Sequence, residues 1–215
     1  MDLLYDILEK LSMVSSLVPL LLFAFIGSWK TGTRNLLRLL FCMVILEVVT
    51  EYICGYLSLN YINNQIVIHL YTVIFTTLIF FLYRKLIKSR PILYVGLGLL
   101  IIFYITAGSE FIANYNGPNT YAYSTLSLIS IFFSVALFFQ MINDLNIDSF
   151  RSNGYFWINS AILFYFGTTF CLTLFESYVH LEHPDLLMQI WPIQLLSNII
   201  FYFMLSRGIW LINRA

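Results

Sequence analysis

Two acidic residues, Glu47 and Glu51, lie within an otherwise apolar stretch of the chain. They are four positions apart, so on a helix they share one face. Two carboxyl groups this close in a medium of low dielectric constant do not readily ionise together, and we expect at least one to be protonated near neutral pH. The pair is therefore typical of a proton site or of a polar pocket that binds a ligand.

A histidine follows in the next apolar stretch. His69 stands beside Tyr71 and Thr72, about one helical turn after that stretch begins, whereas Glu51 lies about two turns before the preceding stretch ends. Helices joined by a short loop run antiparallel as neighbours, so we expect Glu51 to contact His69, with Glu47 deeper. Two interpretations stay open: a structural pair that joins two helices, or a functional pocket or proton site.

Further polar residues fall in the same half of the later apolar stretches. Single hydroxyl groups, such as those of Ser124 and Thr169, are weak signals because they bond to the backbone of their own helix. Carboxyl, imidazole and amide groups are stronger signals, and their concentration predicts a polar cavity that opens to the outside. The candidate residues for binding a ligand or a proton are Glu47, Glu51, His69, Tyr71, Thr72, Glu176, Trp191, Gln194 and Asn198.

Most catalytic chemistry is missing from the sequence. His180, Glu182, His183 and Asp185 have the spacing of metal ligands, but Pro184 interrupts them and no third ligand on a fixed element is evident, so solvated loop residues are expected. There is no Gly-x-Ser-x-Gly, no His-Glu-x-x-His and no phosphate-binding glycine loop. An enzyme is therefore the least favoured function, and no cofactor or metal is expected.

The composition indicates which solvent surrounds these residues. Of the 215 residues, 60% are hydrophobic and only 10% are charged, and the mean hydropathy is +0.84. A soluble domain carries about 25% charged residues, so the surroundings of most of this chain must be a lipid bilayer. The formal net charge is zero, so no field attracts nucleic acid. The three cysteines lie in apolar runs and indicate neither disulfides nor a zinc site.

Apolar stretches long enough to cross a bilayer occur seven times. About 20 residues of helix are needed to cross about 30 Å of hydrocarbon, and helices are the only sensible interpretation because strands of a barrel would alternate apolar and polar residues. The sequence therefore predicts an all-α protein, a single domain over 1–215, with a short interfacial helix at 3–11. The predicted spans are about 11–29, 35–58, 66–86, 91–108, 121–143, 156–179 and 187–211.

The basic residues predict the orientation of these spans. In a seven-span arrangement ten of the eleven lysines and arginines fall on one side, and Lys10 alone falls on the other. Basic residues stay on the cytoplasmic side of a membrane, so the N-terminus is expected outside and the C-terminus in the cytoplasm. The ten residues are Lys30, Arg34, Arg38, Arg84, Lys85, Lys88, Arg90, Arg151, Arg207 and Arg214.

Several short motifs carry a resemblance to a known family. They are the segment Asn64 to Tyr83 with its His69-x-Tyr71-Thr72 core, and, in the final third, Trp157, Asn159, Tyr165, Phe166, Trp191, Asn198 and Gly208-Ile209-Trp210. Together they are similar to an uncharacterised bacterial family of small seven-helix membrane proteins. The resemblance implies a bacterial inner membrane and a relation to seven-helix sensor regions that lie on or beside histidine kinases. It would carry over His69, Tyr71, Thr72, Trp191 and Asn198 as functional positions.

Four functions stay open at this point. The first is a sensor or receptor that binds a small ligand or a proton in the outer cavity and signals through a histidine kinase or another membrane protein, since no cytoplasmic output domain is present. The second is a proton-coupled transporter of small solutes, and the third is a structural subunit of a larger membrane complex. An intramembrane enzyme ranks last. Formation of a homo-oligomer also stays open.

Overall fold

The computed structural model describes residues 2–25, 33–144, 147–182 and 184–214, and the side chains of these residues except 2–4, 6, 147–149, 174–182 and 184–189. Within these ranges the chain is all-α. A short 3-10 helix, Ile147–Ser152, lies between the fifth and sixth of seven α-helices. The seven are α1 (Asp2–Phe25), α2 (Arg34–Leu59), α3 (Gln65–Leu86), α4 (Arg90–Asn114), α5 (Thr120–Asp144), α6 (Gly154–Glu182) and α7 (Pro184–Arg214).

Six of these helices contain a segment long and apolar enough to cross a membrane: Ile7–Phe25, Gln65–Leu86, Arg90–Asn114, Thr120–Asp144, Gly154–Thr173 and Ile190–Arg214. The remaining helix, α2, carries four acidic or basic residues, Arg34, Arg38, Glu47 and Glu51. Large apolar side chains are exposed on all seven helices, for example Leu21, Val49, Ile74, Ile101, Phe139, Phe164 and Phe203. Apolar surfaces on this scale are rare on soluble monomers and are those of a multi-pass helical membrane protein.

Polar residues form the corners between helices. The turn from α2 to α3 contains Tyr61 in the left-handed region (φ 57°), and Asn63 Oδ1 accepts a hydrogen bond of 2.8 Å from Gln65 N at the start of α3. At the next corner on this side, the Glu110 carboxylate accepts bonds of 3.0 and 2.9 Å from the backbone N–H groups of Tyr121 and Ala122. A carboxylate suits the positive end of a helix dipole, here the start of α5, and Glu110 itself lies in α4 beyond the predicted end at 108.

The helices form a ring that closes on itself. Each helix packs against the next along the chain, and α1 also packs against α7. Because α3 contacts α5 directly, α4 lies outside that pair. The buried residues of α4 form one stripe, Gly96, Leu100, Phe103 and Ala107, the spacing of a helix with a single packed face. A side chain at Gly96 would collide with the buried ring of Phe133 on α5.

The two ends of the ring differ in charge. At one end, which we call the basic end, Lys88 Nζ pairs with Asp144 Oδ2 at 2.7 Å and the Arg207 guanidinium lies 4.7 Å above the Trp157 ring. These contacts bring together the ends of α3, α5, α6 and α7 that carry the cations. At the opposite end Asn63 Nδ2 donates to Asn116 O at 3.0 Å, which joins the two corners described above.

A layer of apolar side chains fills the middle of the ring. Phe75 and Ile79 of α3 and Ile162 and Phe166 of α6 are at most 2% exposed, and the Phe75 and Phe166 ring centroids are 6.0 Å apart. These four residues are called the apolar layer below. On the basic side of it, Tyr83 donates to Asn159 Oδ1 at 2.8 Å. Asn159 of α6 thereby joins α3 to α6.

Candidate ligand-binding cavity

A cavity of about 550 Å³ opens at the end of the ring opposite the basic end. This volume lies within the range of pockets that hold small molecules. Its walls come from the C-terminal half of α2, the start of α3, the corner before α5, the C-terminal half of α6 and the first half of α7. The lining residues are Thr50, Glu51, Cys54, Asn64, Gln65, Ile68, Tyr71, Pro118, Asn119, Thr120, Tyr123, Thr169, Leu172, Thr173, Ile190, Trp191 and Gln194.

The two carboxyl groups of α2 lie at the inner side of this cavity. Glu51 lines it, and Glu47 is buried one helical turn deeper. The Tyr202 side chain of α7 lies within hydrogen-bonding range of both carboxyl groups, and the Ser16 side chain of α1 lies within range of Glu51. The two carboxyl groups of α2 therefore face inside the ring. Even so, Glu51 Oε2 is buried without a hydrogen-bond partner among the described residues.

Phenol and amide groups extend the polar surface around the cavity. The Tyr123 and Tyr165 hydroxyl oxygens are 3.1 Å apart, and Gln194 Nε2 lies 3.3 Å from Tyr165 Oη and 3.3 Å from Thr169 Oγ1. One amide on α7 therefore bridges two positions on α6. This linkage couples three helices, so displacement of Gln194 would be felt by α5 and α6 as well as by α7.

The hydrogen bonds around Asn119 determine which atom of its side-chain amide faces Thr72 and which atom is left as an acceptor. The Thr72 hydroxyl donates to Ile68 O at 2.7 Å, so its oxygen must act as acceptor towards Asn119, whose Nδ2 lies 2.7 Å away. The amide is thereby oriented with Nδ2 towards Thr72, which leaves Oδ1 as the free atom. Asn119 is 6% exposed and lines the cavity, and its Oδ1 has no partner among the described residues.

Comparisons of the chain with protein-family models, with curated proteins and with solved structures found no match. The functional assignment therefore depends on the geometry of the cavity itself.

The structure brings together five of the nine candidate residues predicted from sequence. Glu51, Tyr71, Trp191 and Gln194 line the cavity, and Glu47 lies directly below Glu51. The residues that meet here come from α2, α3 and α7, which are far apart in sequence. The prediction of a polar cavity at this end of the helices therefore agrees with the position of these five side chains.

His69 does not line the cavity. Its ring packs edge-on against Phe111 of α4, with centroids 5.5 Å apart, and no described group accepts or donates a hydrogen bond at its buried Nε2. No hydrogen bond or ion pair between His69 and Glu51 occurs among the described residues, so the expected contact is not found. The reason is helical rotation: His69 and Tyr71 are about 200° apart around α3, and Tyr71 faces the cavity.

Thr72 and Asn198 have supporting positions rather than positions in the cavity wall. Thr72 orients Asn119, as described above. Asn198 Nδ2 approaches Ser12 Oγ of α1 at 3.4 Å, and its Oδ1 has no described partner. The side chain of Glu176, the ninth candidate, lies outside the described residues. So do the side chains of His180, Glu182, His183 and Asp185, and the described residues contain no cluster of three metal-ligating side chains.

Sequence reasoning missed two residues that line the cavity, Asn119 and Tyr123, and two that lie beside its carboxyl groups, Tyr202 and Ser16. Tyr123, Tyr202, Asn119 and Ser16 had no signal of their own, because the chain contains 15 tyrosines and short polar side chains are common in membrane helices. Tyr165 entered only through the resemblance. Their importance arises from the pairing of α1 with α7 and of α5 with α6, which no local sequence pattern specifies.

Proposed function

We propose that this chain is a seven-span sensor or receptor module of a bacterial inner membrane, with its N-terminus outside and its C-terminus in the cytoplasm. In this proposal α2 also crosses the membrane, in addition to the six helices that are apolar enough to do so. Three features of α2 support this: it has 26 residues, it packs between α1 and α3, and it exposes Val49 and Ile53 while burying Glu47. Its carboxyl groups are thereby kept away from lipid, as intramembrane carboxylates generally are.

The orientation follows from the basic end. Nine of the ten basic residues predicted to share a side belong to the described residues, and Lys30 lies outside them. Because basic residues stay cytoplasmic, the basic end faces the cytoplasm and the cavity opens to the outside. A small molecule would then reach Glu51 and Gln194 from the external solution.

The single observation that supports a receptor best is a cavity that opens at one end of the ring and lies above the apolar layer. The apolar layer lies between the cavity and the basic end, and the buried hydroxyl of Thr76 at this level donates to Thr72 O of its own helix. A ligand between α2, α3 and α7 would change how these helices pack against α1 and α5. A histidine kinase or another membrane protein that contacts the basic end would respond to this change in packing. A second copy of this chain, in a homo-oligomer, is the alternative partner.

Cys54 provides a test of the outward-facing cavity. It lines the cavity, whereas Cys42 and Cys171 are exposed on the outer surface of the ring. In the experiment Cys42 and Cys171 are replaced by alanine, so that Cys54 is the cysteine that remains. A membrane-impermeant methanethiosulfonate added to intact cells should modify Cys54. A matched variant that has Lys85→Cys in place of Cys54 should react only after the membrane is permeabilised. Failure to label Cys54 while Lys85→Cys reacts from outside would reject the proposal.

A proton-coupled transporter is a second candidate, because polar groups recur beyond the apolar layer. Tyr83, Ser134 and Asn159 form a buried network there, with 2.6 Å between Tyr83 Oη and Ser134 Oγ. A transporter would open the apolar layer to connect the two polar regions. Uptake of a solute that collapses with the pH gradient and is lost in Glu51→Gln would favour this function over a receptor.

A further inference from the structure

We propose that the cavity binds a small organic cation, a protonated amine with an apolar body. This inference rests on the proposed function, in that it takes the cavity as the ligand site. It adds the chemical class of the ligand, which follows from three independent properties of the cavity wall: its charge, its unsatisfied atoms and its aromatic content.

The first property is charge. The described residues that line the cavity include Glu51, with Glu47 directly beneath, but no lysine, arginine or histidine. The ion pair found among the described residues, Lys88 with Asp144, lies at the opposite end of the ring. Opposite charges attract far more strongly in a low-dielectric surrounding than in water. A cationic ligand would provide a counter-charge that the described part of the protein does not, and an anion would be repelled.

The second property is the kind of unsatisfied atom at the cavity. Glu51 Oε2 and Asn119 Oδ1 are both buried without partners among the residues that the structure describes, and both residues line the cavity. Asn119 Oδ1 can only accept hydrogen bonds, and a carboxylate also only accepts them. A buried acceptor without a donor costs free energy, which a ligand recovers by donating to it. An alkylammonium group carries up to three N–H donors and therefore matches these atoms.

The third property is the aromatic wall. Tyr71 and Tyr123 line the cavity, and Trp191 lines it near the start of α7 with half of its surface exposed. Faces of aromatic rings attract cations. They also cover the apolar body of a ligand. A cavity of about 550 Å³ has room for a phenylalkylamine or a molecule of similar size.

Charge selectivity at Cys54 tests this inference directly. In the chain with Cys42→Ala and Cys171→Ala, Cys54 is modified by two reagents of similar size. One carries a trimethylammonium group and the other a sulfonate. The ratio of the two rates is divided by the ratio for free glutathione. We expect the cationic reagent to be favoured about tenfold or more, because a carboxylate in a low-dielectric wall attracts one reagent and repels the other.

Glu51→Gln should lower this ratio towards the value for glutathione, and the matched control Glu9→Gln, at an exposed position on α1, should leave it unchanged. The ratio measured with Glu51 intact remains decisive even if Glu51→Gln fails to fold. A ratio equal to that of glutathione would reject a cation site while leaving the outward-facing cavity intact. No reaction with either reagent would instead reject the proposed function.

Competition with two matched probes provides the second measurement. 2-Phenylethylamine and 2-phenylethanol share a ring and a chain and differ in an ammonium or a hydroxyl group. At equal millimolar concentrations the amine should slow modification of Cys54 by N-ethylmaleimide at least severalfold more than the alcohol. The difference should disappear in Glu51→Gln and persist in Glu9→Gln. Equal protection by amine and alcohol would show an apolar site without preference for a cation and would overturn the inference.

Discussion

Buried hydrogen-bonding groups in this molecule are of two kinds. Tyr83 and Asn159 satisfy each other across α3 and α6, and Asn159 Nδ2 also donates to Ser134 O at 2.9 Å. Glu51 and Asn119 each retain an acceptor without a described donor. Satisfied groups hold helices in one arrangement, whereas unsatisfied groups at a cavity are the ones a ligand can use. Tyr83 and Asn159 lie on the basic side of the apolar layer, and Glu51 and Asn119 lie on the cavity side.

Removal of one hydroxyl from the satisfied network should lower stability. Tyr83→Phe leaves Asn159 Oδ1 and Ser134 Oγ without their partner in a fully buried place. We expect the free energy of unfolding to fall by about 1–3 kcal/mol, measured as a lower midpoint of unfolding in detergent. Tyr94→Phe, at a residue 71% exposed on α4, is the control. An unchanged midpoint for Tyr83→Phe would show that the network contributes nothing to stability.

At the residue scale, the acidic pair could be recognised from the sequence, but the neighbours of His69 could not be predicted from it. Glu47 and Glu51 were recognised because carboxyl groups are rare in apolar stretches and four-residue spacing fixes a common face. The position of His69 along α3 was also clear from sequence. Its direction was not, because the rotation of α3 about its axis depends on contacts with α4 and α5. Those contacts place Phe111, rather than Glu51, beside the imidazole ring.

Close approach of α6 and α7 determines the geometry of half the ring. The two helices cross where Gly154 and Gly208 face each other, and a β-carbon on Gly208 would lie 2.9 Å from Gly154 O and 2.6 Å from a side-chain atom of Ile158. Small residues let membrane helices approach closely. Thr169 and Gln194 lie farther along the same two helices, so the crossing helps set the distance between them.

A single methyl group at this crossing should therefore separate the helices. Gly208→Ala is expected to lower the free energy of unfolding by about 1–3 kcal/mol, the usual cost of overpacking. Gly167→Ala is the matched control, because no atom lies within 4 Å of the β-carbon that it would add. Thermal unfolding in detergent compares the two variants. Equal midpoints for both would show that the crossing tolerates a wider separation than the structure has.

At the element scale, helix positions were predictable and helix lengths were less so. The prediction at 66–86 agrees with α3 (Gln65–Leu86) to within one residue, because Asn63 and the basic residues at its end mark both termini. The helix α4 (Arg90–Asn114) extends six residues beyond the span predicted at 91–108. Thr106 and Ser109 donate back to Phe103 O and Thr106 O. Polar residues that reduce hydropathy can therefore continue a helix.

At the scale of the whole molecule, the orientation of the helices in the membrane depends on whether α2 crosses it. If α2 crosses the membrane, residues at its start and at the start of α4 share a compartment. If α2 does not cross, α3 is the one crossing between them, and these positions face opposite compartments. The burial of Glu47 within the ring favours the first arrangement.

Single cysteines test this arrangement. In a chain whose three native cysteines are replaced by alanine, Arg34→Cys and Arg90→Cys should both react with an impermeant maleimide only from the cytoplasmic side. Tyr121→Cys, at a residue 74% exposed at the start of α5, should react from outside intact cells and serves as the opposite reference. Reaction of positions 34 and 90 from different sides would exclude α2 as a span.

The sequence by itself determined that this is a helical protein with the surface of a membrane protein, and where its helices lie along the chain. Transfer of a side chain into lipid is a local property that adds up residue by residue, so composition is enough to reveal it. Only the tertiary structure decided that α1 closes the ring against α7, that Tyr71 rather than His69 faces the cavity, that Asn119 lines it and that Tyr202 lies beside its carboxyl groups. These facts depend on the rotation and the partners of every helix, which are set jointly by packing across the whole ring.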